Sequence, residues 1–480
     1  MDTSWRRPRI ASTESTESTE STESTESTES TGFRLCVVRR KSSSLRAPVV
    51  IFAFLLVFDH FCITFDAFPI YSSFISPRVL EAFVKVLVVN SGSSSLKFTL
   101  FSMTNKTVLA KGLVERIGMS NPKLTYQATD KNKLEEVLSI TNHSEALQAV
   151  CDKLVDPSYG VLEKLSEVQA IGHRVLHGGK TYTSPILVNE DVKEGIRKCI
   201  VLGPLHNPAN LGGIEACEQV FPGTPNVAVF DTAFHQTMEP EAYMYAIPRE
   251  FYDKYDVRKY GFHGTSHKFV YFNSCEFLGL DPDKAKIITC HLGNGSSLAA
   301  VKGGKVLDTS MGLTPLMGLV MGTRCGDLDP AAVFFLMKQT GATPDEMDSI
   351  LNKKSGLLGV SGVSSDMRDI ENAMALGNKH AREAYNIFLH RLIHYIGGYF
   401  LILGGADAIV FTGGIGENGI PTRKKIVDQL NVIGCYLDSD ANQCRGEQVV
   451  ISTPESKVKA LITPTNEELM IAMETVSLMK

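Results

Sequence analysis

Residues 86–97 read V-L-V-V-N-S-G-S-S-S-L-K, and residues 287–298 read I-I-T-C-H-L-G-N-G-S-S-L. Each is a short apolar run closed by a Gly/Ser cluster and Ser-Ser-Leu. The two triplets, at 94–96 and 296–298, lie 202 positions apart. A buried strand followed by a Gly/Ser turn presents backbone N–H groups and hydroxyls at the strand end, a cradle for phosphate oxygens. An ordinary hairpin turn uses the same residues; the repetition favours phosphate. Two such loops predict a duplicated α/β fold, two like lobes closed around a nucleotide.

Outward from these loops, the body from Val84 to Lys480 alternates short β-branched runs with helical stretches, which predicts mixed sheets. Strands are expected at 84–89, 169–175, 226–230, 286–291 and 407–412, and helices at 145–154, 190–200 and 380–402. Asn90, Arg174, Asp231, His291 and Gly413 then stand at strand ends, where open α/β sheets gather their ligands. A third Gly-rich turn, F-T-G-G-I-G-E-N at 411–418, follows the last of these strands.

Two arginines stand apart from the 48 Lys and Arg of the chain. Arg174 sits in G-H-R-V-L-H-G-G and Arg324 in M-G-T-R-C-G-D-L-D-P, flanked by glycine and apolar residues rather than by a charged helical face. A guanidinium binds carboxylate or phosphate bidentately and stabilises charge on a transferring phosphoryl group. Asp231 ends the run N-V-A-V-F; it can position a reacting group or cap the next segment. His263, in Y-G-F-H-G-T-S-H, can steady a phosphoryl transition state or be a hydrogen-bonded core histidine. The pairs His263/His267 and His390/His394 have i,i+4 spacing but no matching carboxylate, which argues against zinc.

The first 83 residues differ from the rest. Residues 12–31 are an unbroken S-T-E repeat, acidic and without an apolar residue, for which disorder is expected. A basic patch (Arg34, Arg39, Arg40, Lys41, Arg46) precedes twelve apolar residues at 47–58, too few to span a bilayer comfortably. This order is that of an inward-displaced signal. The expectation is a dispensable leader or a mistaken start, with targeting to an organelle or a membrane tether through 34–65 as the alternative.

The whole chain has 480 residues, 43% hydrophobic and 21% charged, with net charge −5 and no basic stripe, which argues against a nucleic-acid partner. Ten scattered cysteines, none in C-x-x-C, suit free thiols in a reducing, cytoplasmic compartment. Asn294-Gly295-Ser296 is a glycosylation pattern inside the second loop, a further argument against secretion.

Seven segments in order carry a resemblance: V-N-S-G-S-S-S-L-K at 89–97, H-N-P-A-N at 206–210, F-D-T-A-F-H at 230–235, Y-G-F-H-G-T-S-H at 260–267, H-L-G-N-G-S-S at 291–297, M-G-T-R-C-G-D-L-D-P at 321–330 and T-N-E-E at 465–468. Over about 84–480 the chain resembles the acetokinase family, within the superfamily of acetate and sugar kinases, actin and heat-shock ATPases. The resemblance implies a two-lobed, duplicated actin-like ATPase fold with an ATP cleft between the lobes. Residues 84–231 then form the acetate-side lobe, closed by a C-terminal helix at 468–480, and 232–467 the nucleotide-side lobe. It implies the reaction ATP + acetate ⇌ ADP + acetyl phosphate, with Mg²⁺, in a homodimer without stable membrane association.

By motif, the resemblance gives the metal to Asn90 and Glu467. Lys97 meets nucleotide phosphates, and His291, Leu292, Gly293, Asn294 and Gly295 cradle them. Asp366, Met367 and Arg368, with Gly414, Ile415, Gly416, Glu417 and Asn418, hold the rest of the nucleotide. Arg174 binds the substrate carboxylate, and Leu176, Leu205, Phe262 and Pro315 wall a methyl pocket. Asp231, His263 and Arg324 serve the transferring group. Acetate is already ionised at neutral pH, so no base is required, and Asp231 is read as an orienting group. Leu176 stands where the family often has Val, which narrows the pocket toward acetate. Met317 and Cys325 replace the usual Glu and Ser beside Arg324. The rival readings are a propionate- or butyrate-preferring kinase and a nucleotide-driven switch of the chaperone-ATPase type.

Overall fold

The run K-V-L-V-V-N-S-G forms strand β1, Lys85–Gly92, whose neighbours cover both faces: Val86 and Val88 pack to one side, Leu87 and Val89 to the other. A strand buried twice needs a continuous apolar run rather than alternation. The structure, a computed structural model, describes residues 57–58, 61–62 and 84–479. The expectations for the acidic repeat and leader lie outside the described residues, apart from a short antiparallel ladder of Val57–Phe58 with Phe61–Cys62.

The first sheet also contains β2 Ser95–Ser102, β3 Thr107–Glu115, β4 Lys123–Ala128, β5 Leu134–Val137, β6 Val168–Val175, β7 Ile186–Leu187 and β8 Asn226–Phe230, in the order β5-β4-β3-β2-β1-β6-β8-β7. The second contains β9 Lys286–Leu292, β10 Ser296–Lys302, β11 Lys305–Thr309, β12 Ala408–Thr412, β13 Val449–Val450 and β14 Lys459–Ile462, in the order β11-β10-β9-β12-β14-β13. The duplication is visible here. In each sheet three antiparallel strands in meander order (β3-β2-β1, β11-β10-β9) are followed by two parallel crossover strands (β6 and β8, β12 and β14).

Both Gly/Ser loops are the turns of antiparallel hairpins. Gly92 pairs with Ser95 in the first and Leu292 with Ser296 in the second. Strand β1 runs to Gly92, further than expected, so Asn90 lies within it rather than beyond it, while Arg174 and His291 lie inside β6 and β9 next to their last residues, as expected. The segment read as a third Gly-rich turn is a short helix, Gly413–Asn418, starting directly after β12. Glu417 explains the difference: its carboxylate accepts from Gly413 N at 2.9 Å and so caps the first turn.

Among the helices of the described residues, six bear on the site: α1 His143–Leu154, α2 Asn207–Val220, α3 Gly264–Leu278, α4 Lys379–Ile402, α5 Gly413–Asn418 and α6 Glu467–Ser477. Helices α1 and α2 cover one face of the first sheet, and α6 covers the other through Ile471, Ala472 and Val476. Helix α4 packs Phe388, Leu392 and Ile396 on one face of the second sheet, while α3 packs Val270, Tyr271 and Cys275 on the other. The C-terminal ends of the parallel strands of the two sheets supply the candidate site.

Candidate active site

Parallel pairing places Val175 of β6 beside Phe230 of β8, and Asp231 N donates to the Val175 carbonyl at 2.9 Å. The side chains of Arg174 and Asp231 therefore leave neighbouring strand ends together. Arg174 Nε lies 3.0 Å and Nη2 2.6 Å from Asp231 Oδ2, a fork closed on a carboxylate that is 1% exposed. Nη1 takes no part in that pair. Glu467, the first residue of α6, approaches the same guanidinium at 3.9 Å. Burial raises the pKa of the Glu467 carboxyl; the Arg174 charge opposes that, and Asp231 and Glu468 add to it.

A cavity of about 300 Å³ opens beside this group, lined among others by Asn90, Lys97, Arg174, Leu176, His206 and Asn210. Lys97 faces Asn90 across the first hairpin and forms an ion pair with Glu468. The motif H-N-P-A-N, quoted for the resemblance without a role, is the brace of this corner. Asn210 accepts from Leu176 N at 3.0 Å and donates to the Ser91 carbonyl at 2.8 Å, tying the end of β6 to the first hairpin. Asn207 holds the N–H and C=O of His177 at 3.2 and 3.0 Å. His206 faces Arg174, Asp231 and Arg324, and its pKa is lowered by burial first and by the two arginines next.

From the second sheet, His263 caps α3 in the left-handed region (φ 56°), uncommon for a non-glycine residue and kept only where surroundings dictate it. Gly264 N donates to the Asp231 carbonyl at 2.8 Å, which brings His263 to Arg174 and Asp231. The His263 ring stacks on His291, centroids 4.2 Å apart. Burial first, then His291, His267, Arg174 and Arg324, holds the His263 pKa well below its ordinary value, so the ring is neutral. His291 is pushed down to about 4 by burial, with Arg174 adding to it.

Arg324 closes the arrangement. A Cβ built on Gly295 stands 3.3 Å from Arg324 Nη1 and 3.5 Å from His263 Nε2, so the second turn lies directly against both groups. One on Gly322 would overlap Asn294 Oδ1, so a larger residue there would have to displace the Asn294 side chain. Arg324 Nη1 donates to the Pro315 carbonyl at 3.1 Å and approaches Met321 Sδ at 3.6 Å; these are neutral acceptors, not a carboxylate. The guanidinium thus keeps its charge for an anion. Arg174, Arg324, His263 and the second turn share one site.

Other expected residues are placed less directly. Leu176, Phe262, Met311 and Met321 form one small buried apolar cluster, while Leu205 is 67% exposed and Pro315 enters mainly through its carbonyl. Leu292 and Met367 are core residues, leaving only their backbone to reach a ligand. Asp366 caps the helix at 367–375 and pairs with Arg368 at 2.6 Å. Gly416 is buried, and Glu417 also accepts from Thr465 N at 3.3 Å, a structural tie. Met317 Sδ accepts from the Tyr245 hydroxyl at 3.7 Å, and the Cys325 thiol donates to the Gly326 carbonyl at 3.1 Å. Sequence reasoning read Ser297 only as part of the second Gly/Ser loop, and it gave no role to His206, Met311, Met321 and the two asparagines of α2. Buried asparagines flanking a helix-start proline were the signal available for the last pair.

Comparison with known proteins gives the family. The acetokinase family profile matches residues 85–473. An acetate kinase of Methanosarcina thermophila is 53% identical over 392 residues, 82% of this chain and 96% of that one. The crystal structure of a Porphyromonas gingivalis acetate kinase superposes with a TM-score of 0.80 at 46% identity, covering 83% of this chain and all of the other. A propionate kinase from Francisella tularensis superposes with a TM-score of 0.77 at 43% identity, covering 82% of this chain and all of that one.

Proposed function

The chain belongs to the acetokinase family, and from that premise we propose how its residues divide the work. The enzyme is a phosphotransferase with a carboxyl group as acceptor: ATP and acetate give ADP and acetyl phosphate. The observation that carries the assignment of roles is the meeting of Arg174, Arg324 and His263 beside the 293–295 turn.

A carboxylate attacking phosphorus is an anion meeting an anion, so the site must cancel repulsion rather than remove a proton. Acetate lies with its carboxylate on the Nη1 end of Arg174, which Asp231 holds in place. Its methyl group packs toward Leu176 and Phe262, with Met311 and Met321 behind them and Leu205 and Pro315 at the rim. A carboxylate oxygen attacks the γ-phosphorus in line, the bond from phosphorus to the β,γ-bridging oxygen breaks, and ADP leaves with that electron pair. Arg324 and a His263 N–H stabilise the equatorial oxygens.

The phosphates lie along the second turn, from His291 to Gly295, with Lys97 reaching them from the first hairpin. Asp366–Arg368 and Gly414–Asn418 border the rest of the nucleotide. Asn90 and Glu467 fit Mg²⁺: both offer hard oxygen donors, and a cation relieves the cost of burying Glu467. When bound, Mg²⁺ neutralises charge shared by the β- and γ-phosphates.

The assembly and compartment accord with this reading. The helix at 330–340 has no buried residue although it carries Phe334, 63% exposed, and Phe335, 60% exposed. This supports a homodimer through that face, and Phe334→Glu is expected to give monomers in analytical ultracentrifugation. Eight of the described cysteines are free thiols, which supports a reducing cytoplasm. Among the described residues no helix is long and apolar enough to cross a membrane.

The test is a coupled ADP-release assay of the purified chain with acetate, propionate and butyrate. Acetate should have the highest kcat/KM. The structural likeness to a propionate kinase makes propionate the second reading, and a higher kcat/KM for propionate would establish it. ATP hydrolysis indifferent to all three acids would point to a nucleotide switch instead.

A further inference from the structure

Thr289, His267, Ser297 and His263 form one chain of hydrogen bonds. His267 Nδ1 lies 2.7 Å from Thr289 Oγ1, and His267 Nε2 lies 2.7 Å from Ser297 Oγ. The same hydroxyl oxygen lies 2.9 Å from His263 Nδ1. Thr289, His267 and Ser297 are fully buried, so water cannot substitute for a missing partner.

A serine hydroxyl has one proton. Placed between two ring nitrogens, Ser297 donates to one and accepts from the other. A neutral imidazole likewise has one N–H and one acceptor nitrogen. Burial holds His267, like His263, well below its ordinary pKa, so both rings are neutral. The chain therefore has two self-consistent arrangements, with its donors all pointing toward Thr289 or all toward His263.

We propose that His267 is a positioning residue which sets the tautomer of His263 through the Ser297 hydroxyl. With the proton of His267 on Nε2, Ser297 accepts it and donates to His263 Nδ1. The single N–H of His263 is then on Nε2, the atom beside Gly295 and Arg324. In the opposite arrangement His263 presents a lone pair there, which repels a phosphoryl oxygen. An anion in the site selects the first arrangement.

Thr289 can serve it. Its other acceptor is the Ala299 carbonyl at 3.4 Å, long for an O–H···O bond, so turning its proton to His267 Nδ1 sacrifices little. His263 needs no positive charge in this scheme, which suits a ring lying between Arg174 and Arg324. The inference rests on the reading of His263 as a donor to the transferring group.

The experiment is long-range ¹H–¹⁵N correlation on the full chain labelled at histidine, with MgADP, acetate and aluminium fluoride as a stand-in for the transferring group. His263 and His267 should both be protonated at Nε2 only, and Ser297→Ala should leave His263 a mixture of tautomers. Opposite tautomers in the unsubstituted protein, or a cationic His267, would overturn the proposal. Kinetics give a second reading. His267→Gln can offer an amide N–H to Ser297 and a carbonyl to Thr289, whereas His267→Leu offers neither. The Leu variant should have kcat at least ~10-fold below the Gln variant, with KM for acetate and MgATP alike in the two. Equal kcat values would count against the relay. If the tautomers pair as expected but His263→Ala turns over normally, the role of His263 fails while the coupling stands.

Discussion

Arg174 Nη2 lies 2.6 Å from Asp231 Oδ2, and the two residues leave adjacent parallel strands as one unit. Under the proposed function Asp231 fixes the plane in which Arg174 presents its remaining N–H groups. Replacing Asp231 with Asn should lower kcat while leaving the pH–rate profile flat from about pH 7 to 9, because the acceptor is fully ionised there. An acid limb in the native enzyme that Asp231→Asn abolishes would instead make Asp231 a general base.

Arg174→Ala should remove most transfer to acetate while nucleotide binding survives, since Arg174 is proposed to face the acid rather than the phosphates. Isothermal titration with MgADP alongside the acetate assay separates the two. Unchanged acetate turnover would remove Arg174 from the acceptor site.

For Arg324 the expected loss is larger. Its guanidinium touches only neutral acceptors, the Pro315 carbonyl and the Met321 sulfur, so its charge is available to the transition state. By analogy with arginine fingers, Arg324→Ala should lose roughly 10³-fold or more in kcat. Added guanidinium chloride at millimolar levels should restore part of it.

Leu176 packs with Phe262, Met311 and Met321, so Leu176→Ala opens space in the proposed methyl pocket. One methylene in an apolar pocket is worth about 1–3 kcal/mol. The ratio of kcat/KM for propionate over acetate should therefore rise by roughly 10-fold or more in this variant. A ratio unmoved by the substitution would place the methyl pocket elsewhere.

Stability should fall in acid for a reason visible in the core. His173, His177, His235 and His291 are all pushed down to about 4 by burial. Unfolded, each takes a proton near pH 6.5, so the stability they contribute is complete above that pH and lost as pH falls toward 4. Each should cost roughly 1–2 kcal/mol by pH 5. Calorimetric Tm values at pH 7.5 and pH 5, with His173→Gln as the control, test this; a Tm independent of pH would contradict it.

The strands and loops were legible because their signals are local. A doubly buried run such as V-L-V-V, or a Gly/Ser turn repeated after it, announces itself within a dozen residues. What failed was non-local. The lining of the methyl pocket by Met311 and Met321 depends on how a long irregular loop folds back over Phe262, and no spacing encodes that. The resemblance named Leu205 and Met367, and no spacing shows how differently their side chains are set: Leu205 is exposed, whereas Met367 lies in the core with α4. The 413–418 segment looked like a turn because its glycines dominate; the Glu417 cap made it helical. Ser297 was read as part of a phosphate loop, and its two histidine partners became apparent only when α3 was laid against β9 and β10.

Helix α6 is distant in sequence from the strands it covers, yet it packs on Val86, Val88, Val227 and Val229 of the first sheet. Until α6 docks, that sheet has one uncovered, sticky side. The strands made first therefore cannot finish folding by themselves. Truncation just ahead of Glu467 removes a wall of the first sheet and that carboxylate together.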